Sequence, residues 1–177
     1  MIVENIHPKV FILDVDGVLT DGSFYYTSEG KTMKKFGADD NDALSLLRPY
    51  IQIIFVTGDK KGFSISNKRI TDMHFNLELV STIKRIDWIK ERYNPQEVIY
   101  MGDGIFDHYV MKEVGYSIST ANADSHAKKY ADYITERTGG KRAVAEACLH
   151  ILDKFFIAYD ETKLPDENIN FARDWTV

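Results

Sequence analysis

Asp14, Asp16 and Asp21 follow directly on an apolar run in FILDVDGVLTDG (11–22). Clustered carboxylates repel one another and packing has no use for them, so a positive charge is expected among them. Two further apolar runs end in polar clusters: IQIIFVT (51–57) leads into Thr57, Gly58 and Asp59, and EVIYMGD (97–103) leads into Asp103, with Asp107 shortly after. Carboxylates delivered from two chain segments suit a hard divalent ion. Mg2+ takes one or two carboxylates and completes its shell with water and phosphate oxygen. Singly, each of these residues has a plain structural reading. An Asp after a strand forms a turn or caps a helix, and Lys84 reads as a solvated helix residue. Their order after three successive apolar runs is what points to one site. Asp39, Asp40 and Asp42 lack the glycine and final glutamate of a calcium loop, so that reading is set aside.

The elements that must position these residues alternate along the chain. KVFILDV (9–15), IQIIFVT and EVIYMGD read as buried strands. SFYYT (23–27) and KTMKKF (31–36) read as a β-hairpin turning on SEG. Helices are expected over 42–50, 61–73, 83–93, 106–113 and 141–156, and shorter strands over 77–81, 116–119 and 132–135. Near-continuous apolar strands separated by helices mean a parallel sheet covered on both faces. In such sheets ligands bind beyond the carboxyl ends of the strands, which is where the aspartates lie. The fold class is therefore α/β, with residues 1–156 as one domain and 157–177, which lose the periodicity, as a C-terminal tail on its surface or on a neighbouring subunit.

Composition narrows the chemistry further. A chain of 177 residues with formal net charge −5 and no long basic stretch is not built for nucleic acid. An acidic protein that takes an anionic substrate needs a local cation, either a metal or a placed lysine. The single cysteine, Cys148, lies in a helical apolar pattern and reads as a reduced core thiol. No apolar run approaches the roughly 20 residues that cross a bilayer, and the start of the chain lacks a signal-peptide pattern, so a cytoplasmic protein without a membrane partner is expected.

DVDGVLT (14–20), VTG (56–58), Lys84 and GDGIFD (102–107) resemble the four motifs of the haloacid dehalogenase superfamily of phosphohydrolases. The likeness runs to about residue 150. DVDGVLTDGSFYYTSEGKTMKKF, ANADSHAKKYADYIT and TGGKRAVAEAC resemble more narrowly its small cap-less tetrameric branch. That branch holds the 3-deoxy-D-manno-octulosonate 8-phosphate phosphatases, the nonulosonate 9-phosphate phosphatases and the C-terminal domains of some acylneuraminate cytidylyltransferases. The resemblance implies a Rossmann-like sheet with a hairpin insertion after the first strand and no cap domain. It implies an Mg2+-dependent phosphomonoester hydrolase acting on a phosphorylated sugar acid, in lipopolysaccharide or sialic acid biosynthesis. In that scheme Asp14 is the nucleophile and Asp16 the general acid and base. The metal is held by Asp14, Asp16 through its carbonyl, and Asp103, and is oriented by Asp107. Thr57, Gly58 and Lys84 bind phosphate. The resemblance also implies a homotetramer in which the hairpin helps neighbours complete each pocket; Phe24, Tyr25 and Tyr26 are consistent with such a face.

Departures from the pattern bear on the substrate. Asp40 matches the acid of the family's stretch after the hairpin, but Asp39 stands where an arginine is expected. Lys141 and Arg142 stand in the family's glycine–arginine stretch, and Ala145 replaces its second arginine. Asp40, Lys141 and Arg142 are thus candidate substrate residues, with the eight-carbon 8-phosphate and the nine-carbon 9-phosphate both open. Another sugar phosphate, or a catalytically silent tetramerisation module, is the alternative. His108 and His126 read as rim or structural residues, with Asp124 or Ser125 capping the helix at 126.

Overall fold

The computed structural model describes residues 6–166 and 169. Its main sheet has six parallel strands in the order β5-β4-β1-β6-β7-β8: β1 (Val10–Asp14), β4 (Gln52–Thr57), β5 (Asn76–Leu79), β6 (Val98–Gly102), β7 (Tyr116–Ser119) and β8 (Tyr133–Ile134). β2 (Tyr25–Thr27) and β3 (Gly30–Met33) form a separate antiparallel hairpin. The helices are α1 (Asp39–Leu47), α2 (Phe63–Asp72), α3 (Arg85–Lys90), α4 (His108–Met111), α5 (Ser125–Tyr130) and α6 (Ala143–Phe155). The expected alternation is thus what forms, with ends displaced by a few residues. The stretch read as one helix over 83–93 divides, a tight turn at Thr82–Lys84 preceding α3. The expected helix at 106–113 keeps only its centre as α4. Between β1 and α1 stands a hairpin and no cap domain.

Every residue of β1 is buried, because a parallel strand covered on both faces has no side left for solvent. Its alternation divides the core. Phe11 and Leu13 join Leu44, Leu47, Phe55, Met101, Cys148 and Ile151 on the face of α1 and α6. Val10 and Ile12 join Val56, Ile89, Tyr100 and Val110 on the opposite face. Side chains two apart share a face of a strand, so Asp14 turns towards the side of Tyr100 and α3. Each fully buried large apolar side chain contributes roughly 1.5–3 kcal/mol, which fixes the strand ends against the repulsion of the charges they carry. Cys148 is buried, as its pattern indicated.

The chain leaves β1, builds β4 and β5 on one side, then returns to lay β6, β7 and β8 on the other. The sheet therefore reverses direction at β1, and the crevice past its carboxyl end is the switch point where α/β sheets bind ligands. Asp14 is level with Val56 of β4, and Leu13 with Met101 of β6. Thr57 and the Gly102-Asp103 turn are thereby carried to the mouth of the same crevice. At the start of the tail, residues 157–160 and 163–165 with Ile169 border an apolar groove of about 380 Å³ against Leu46, Pro49, Tyr50 and Leu152; 167, 168 and 170–177 lie outside the described residues. No helix among the described residues is long and apolar enough to cross a membrane.

Candidate active site

After Asp14 the chain makes a wide turn over Val15–Leu19, closed by the Thr20 N–H on the Val15 carbonyl at 3.0 Å. The Asp14 side chain accepts from the Val15 N–H at 2.8 Å. Gly17 is required inside this turn for two reasons. Its φ of +87° is left-handed, and a Cβ there would stand 1.9 Å from Asp103 Oδ2. The glycine lets the β1 turn and the β6 turn close on each other. As a result, carboxylate oxygens of Asp14, Asp103 and Asp107 lie within 4.8 Å of one another.

Asp107 is held rigidly. Its Oδ2 accepts from the backbone N–H groups of Asp103 (2.9 Å) and Gly104 (2.8 Å). Its Oδ1 accepts from the Tyr100 hydroxyl (2.5 Å) and from Arg85 Nη1 (3.0 Å). Arg85 Nη1 also donates to Asp14 Oδ2 at 3.0 Å and to the Tyr100 hydroxyl at 2.6 Å. This arginine is wholly buried; burial works against its charge, but Asp14, Tyr100 and Asp107 outweigh it and hold the guanidinium protonated well beyond its ordinary range. Burial also raises the Asp14 carboxyl to about 6, with Arg85 opposing the rise and Asp107 adding to it. Asp103 has no ion pair of its own among the described residues. Burial, then the charges of Asp14, Asp107 and Asp16, push it up to about 8. One guanidinium faces three acids here, and Asp103, which has no ion pair among the described residues, is held back from ionising.

The other side of the crevice is differently built. Lys34, from just beyond β3, has a fully buried side chain that pairs with Asp16 Oδ1 at 2.7 Å and Asp59 Oδ2 at 2.8 Å, and donates to Ser66 Oγ at 2.8 Å. Lys31 of β3 pairs with the same Asp59 oxygen. Burial opposes the charge of Asp59, yet the hydrogen bonds from Lys31 and Lys34 bring its carboxyl down to about 2. The Thr57 hydroxyl donates to Asp16 Oδ2 at 3.2 Å and accepts from the Asp59 N–H at 3.1 Å. Between the two sides lies a cavity of about 250 Å³, lined by Asp14, Asp16, Gly58, Asp59, Ser81 and Thr82.

Of the residues singled out in the sequence, Asp14, Asp16, Thr57, Gly58, Asp103 and Asp107 are brought together in this crevice. Lys84 ends the tight turn that also carries Thr82, and its side chain is exposed. The cation in contact with Asp14 is its neighbour Arg85. Asp40, Lys141 and Arg142 instead border a separate depression of about 390 Å³ with Gly37, Ala38, Asp39 and Gly140. There Arg142 is ion-paired with Asp39. Asp40 is buried, and its Oδ1 accepts from the Ala145 N–H at 2.9 Å in the first turn of α6; burial raises its carboxyl to about 6. His108 stacks on Tyr130 and bonds the Ile105 carbonyl through Nδ1 at 2.6 Å. Asp124 caps α5, accepting from the His126 N–H at 2.8 Å, the capping role expected of Asp124 or Ser125.

The sequence reading missed Arg85, Tyr100, Lys31 and Lys34. Tyr100 carried one signal, since a hydroxyl inside an otherwise apolar strand needs a partner; Arg85 lies off the apolar stripe at 83, 86, 89 and 93 and carried none. The hairpin lysines carried none, since lysine on a hairpin reads as solvated.

The donor set fits a hard divalent cation. It is all oxygen, it holds an excess of negative charge, and the carboxylate of Asp103 is left without a counter-ion. The comparisons with known proteins agree. A family model described as haloacid dehalogenase-like hydrolase matches residues 80–147. The 3-deoxy-D-manno-octulosonate 8-phosphate phosphatase of Escherichia coli strain K12 is 34% identical over 150 residues, which cover 82% of this chain and 78% of that protein. The crystal structure of the Moraxella catarrhalis enzyme of that name, in complex with magnesium ion, phosphate ion and KDO, is similar at TM-score 0.74 and 29% identity, covering 85% of this chain and 88% of that one. The cobalt-bound deoxy-D-mannose-octulosonate 8-phosphate phosphatase of Haemophilus influenzae is similar at TM-score 0.75 and 30% identity, covering 86% and 91%. The crevice at the sheet reversal, the carboxylates around it and these likenesses agree: the chain belongs to the haloacid dehalogenase superfamily, as a phosphatase of the cap-less branch that includes the 3-deoxy-D-manno-octulosonate 8-phosphate phosphatases.

Proposed function

We propose that this phosphatase hydrolyses the phosphomonoester of a small sugar acid of the 3-deoxy-2-ulosonate type, an 8- or 9-phosphate, through an aspartyl-phosphate on Asp14. The observation that carries this reading is the meeting of Asp14, Asp103 and Asp107 within 4.8 Å, beside a cavity that Asp14 shares with Asp16.

Asp14 and Asp103 would hold Mg2+ together with the Asp16 carbonyl, while Asp107, its oxygens already engaged, orients the turn that carries Asp103. The bound ion offsets repulsion between an anionic nucleophile and an anionic phosphoryl group. A carboxylate oxygen of Asp14 attacks phosphorus, and the bond from phosphorus to the sugar oxygen breaks as Asp16, which must enter this step protonated, gives that oxygen its proton. Asp16 then takes a proton from a water that attacks phosphorus, releasing phosphate and restoring Asp14. Lys34 and the Thr57 hydroxyl grip both oxygens of Asp16 and keep it aimed into the cavity. The Thr57 hydroxyl and the N–H of Gly58 serve the phosphoryl oxygens, and the exposed Lys84 supplies a mobile charge at the rim.

The relatives named for 3-deoxy-D-manno-octulosonate 8-phosphate favour the eight-carbon substrate. Asp39 disfavours a substrate carboxylate near α1, but its pairing with Arg142 removes much of that objection. Asp40, Lys141 and Arg142 then belong to a face that would serve a neighbouring subunit of a tetramer. Release of phosphate from a panel of sugar phosphates, with and without Mg2+ and with Asp14→Asn as control, tests the reading. Turnover of the 8-phosphate or 9-phosphate sugar acids well above simple hexose phosphates is expected; phosphate release that survives Asp14→Asn would overturn it.

A further inference from the structure

We infer that Arg85 is a positioning residue of the ion site that sets its charge balance: the buried guanidinium lying on Asp14 and Asp107 weakens the hold on the divalent cation and lets the loaded site accept a phosphate dianion. The inference rests on the reading that Asp14 and Asp103 bind magnesium.

Arg85 is the first residue of α3 and is 0% exposed. Its Nη1 lies 3.0 Å from both Asp14 Oδ2 and Asp107 Oδ1, two of the three carboxylates in the cation cluster, and Nη2 lies 3.5 Å from Asp14 Oδ1. The Tyr100 hydroxyl bonds both Arg85 and Asp107, which locks the plane of the guanidinium. A guanidinium is never neutral at ordinary pH and donates in a fixed fork, so this is a permanent positive charge inside the acidic cluster.

The electrostatic consequence follows from the residues present. Asp14, Asp103 and Asp107 carry three negative charges when ionised, and Arg85 one positive charge. A dication added to this set brings it to neutrality. Without Arg85, the same dication would leave one net negative charge facing an incoming phosphate. Like charges a few ångströms apart in a partly buried site repel, so the arginine favours phosphate entry. The same charge repels the dication, so metal affinity is sacrificed for it. Arg85 also ties Asp14 and Asp107 together before any ion arrives, which stabilises the metal-free fold.

The test uses the full-length protein stripped of metal, with Arg85→Met and Arg85→Gln as neutral variants and Arg85→Lys as the charged one. Calorimetric titration with MgCl2 reads metal affinity, and titration of the magnesium-saturated protein with inorganic phosphate reads anion affinity. Both neutral variants are expected to bind Mg2+ about tenfold more tightly or better, and phosphate about tenfold more weakly. The lysine variant should stay within about threefold of the parent on both. In the absence of metal the neutral variants should melt lower than the parent, and magnesium should close the gap. Magnesium affinity that does not rise in the neutral variants overturns the inference. So does unchanged phosphate affinity, or a lysine variant that shifts as far as the neutral ones, since the effect would then be packing. Neutral variants that fail to fold even when expressed and purified with magnesium overturn it too, because the ion should replace the lost charge. Turnover separates this from the function proposed above. No phosphatase activity with metal binding that follows Arg85 would sink that function alone, and an active enzyme with metal binding indifferent to Arg85 would sink this inference alone.

Discussion

The two sides of the crevice hold acids in opposite states. On one side Asp16 and Asp59 face Lys31 and Lys34, two carboxylates against two ammonium groups, and Asp59 is held down at about 2. On the other, Asp14, Asp103 and Asp107 face Arg85 alone, and Asp103 is pushed up to about 8. Asp103 is the more deeply buried of the two acids and lacks a paired cation, whereas Asp59 has two, so burial and the supply of counter-charge together make the difference. The balanced side fixes side chains in place. The unbalanced side has the donor set that a cation needs, and that contrast separates the positions that orient Asp16 from those proposed to hold the metal.

The comparison breaks most readily at Asp14. If Asp14 is the nucleophile, Asp14→Asn should lower kcat by on the order of a thousandfold or more in protein that remains folded, because a nucleophile acts as part of a unit whose loss is not made up elsewhere. Asp103→Asn should abolish magnesium binding in a calorimetric titration and take turnover with it. On the balanced side the effect should be smaller. Lys34→Met removes the ion pair that aims Asp16, and kcat should fall about ten- to a hundredfold with magnesium affinity unchanged. If Lys34→Met altered magnesium affinity as strongly as Asp103→Asn, the division into two sides would fail.

A gentler test uses pH. The folded-state carboxyl of Asp103 sits above its unfolded value, so its contribution to stability is fully present below about pH 4 and is lost as pH rises towards 8. The metal-free protein should therefore lose a few degrees of melting temperature relative to Asp103→Asn between pH 5 and 8 (roughly 1 kcal/mol moves a chain of this size by 2–4 °C). Magnesium should reverse the trend, stabilising most at the high end, where its ligands are free of protons.

The sheet and the acids at its strand ends were legible in the sequence, and the counter-charges were not. Val10–Asp14 and Val98–Gly102 announce themselves because a strand buried on both faces must be apolar throughout, and a polar cluster at the end of such a run is conspicuous. Lys34 is different: it sits far from Asp16 in sequence, on a hairpin whose pattern reads as solvated, and only the folding of that hairpin over the crevice buries it. Arg85 stands beside Lys84 off the apolar stripe of its segment, the pattern of a solvated helix residue, and only the packing of α3 against the ends of β1 and β6 buries it. Helix ends were misjudged for a local reason: the turn at Thr82–Lys84 keeps the helical spacing of apolar residues while α3 begins only at Arg85. Asp40 was legible as a special acid, but its bond to the first turn of α6 depends on how α1 packs on α6, which no spacing encodes.

Everything about catalysis rests on one divalent ion between Asp14 and Asp103. Anomalous diffraction from crystals soaked in MnCl2 locates it directly. The account predicts a single strong peak within bonding distance of a carboxylate oxygen of each, absent from Asp103→Asn crystals. A peak beside Asp39 and Asp40, with none between Asp14 and Asp103, would contradict it.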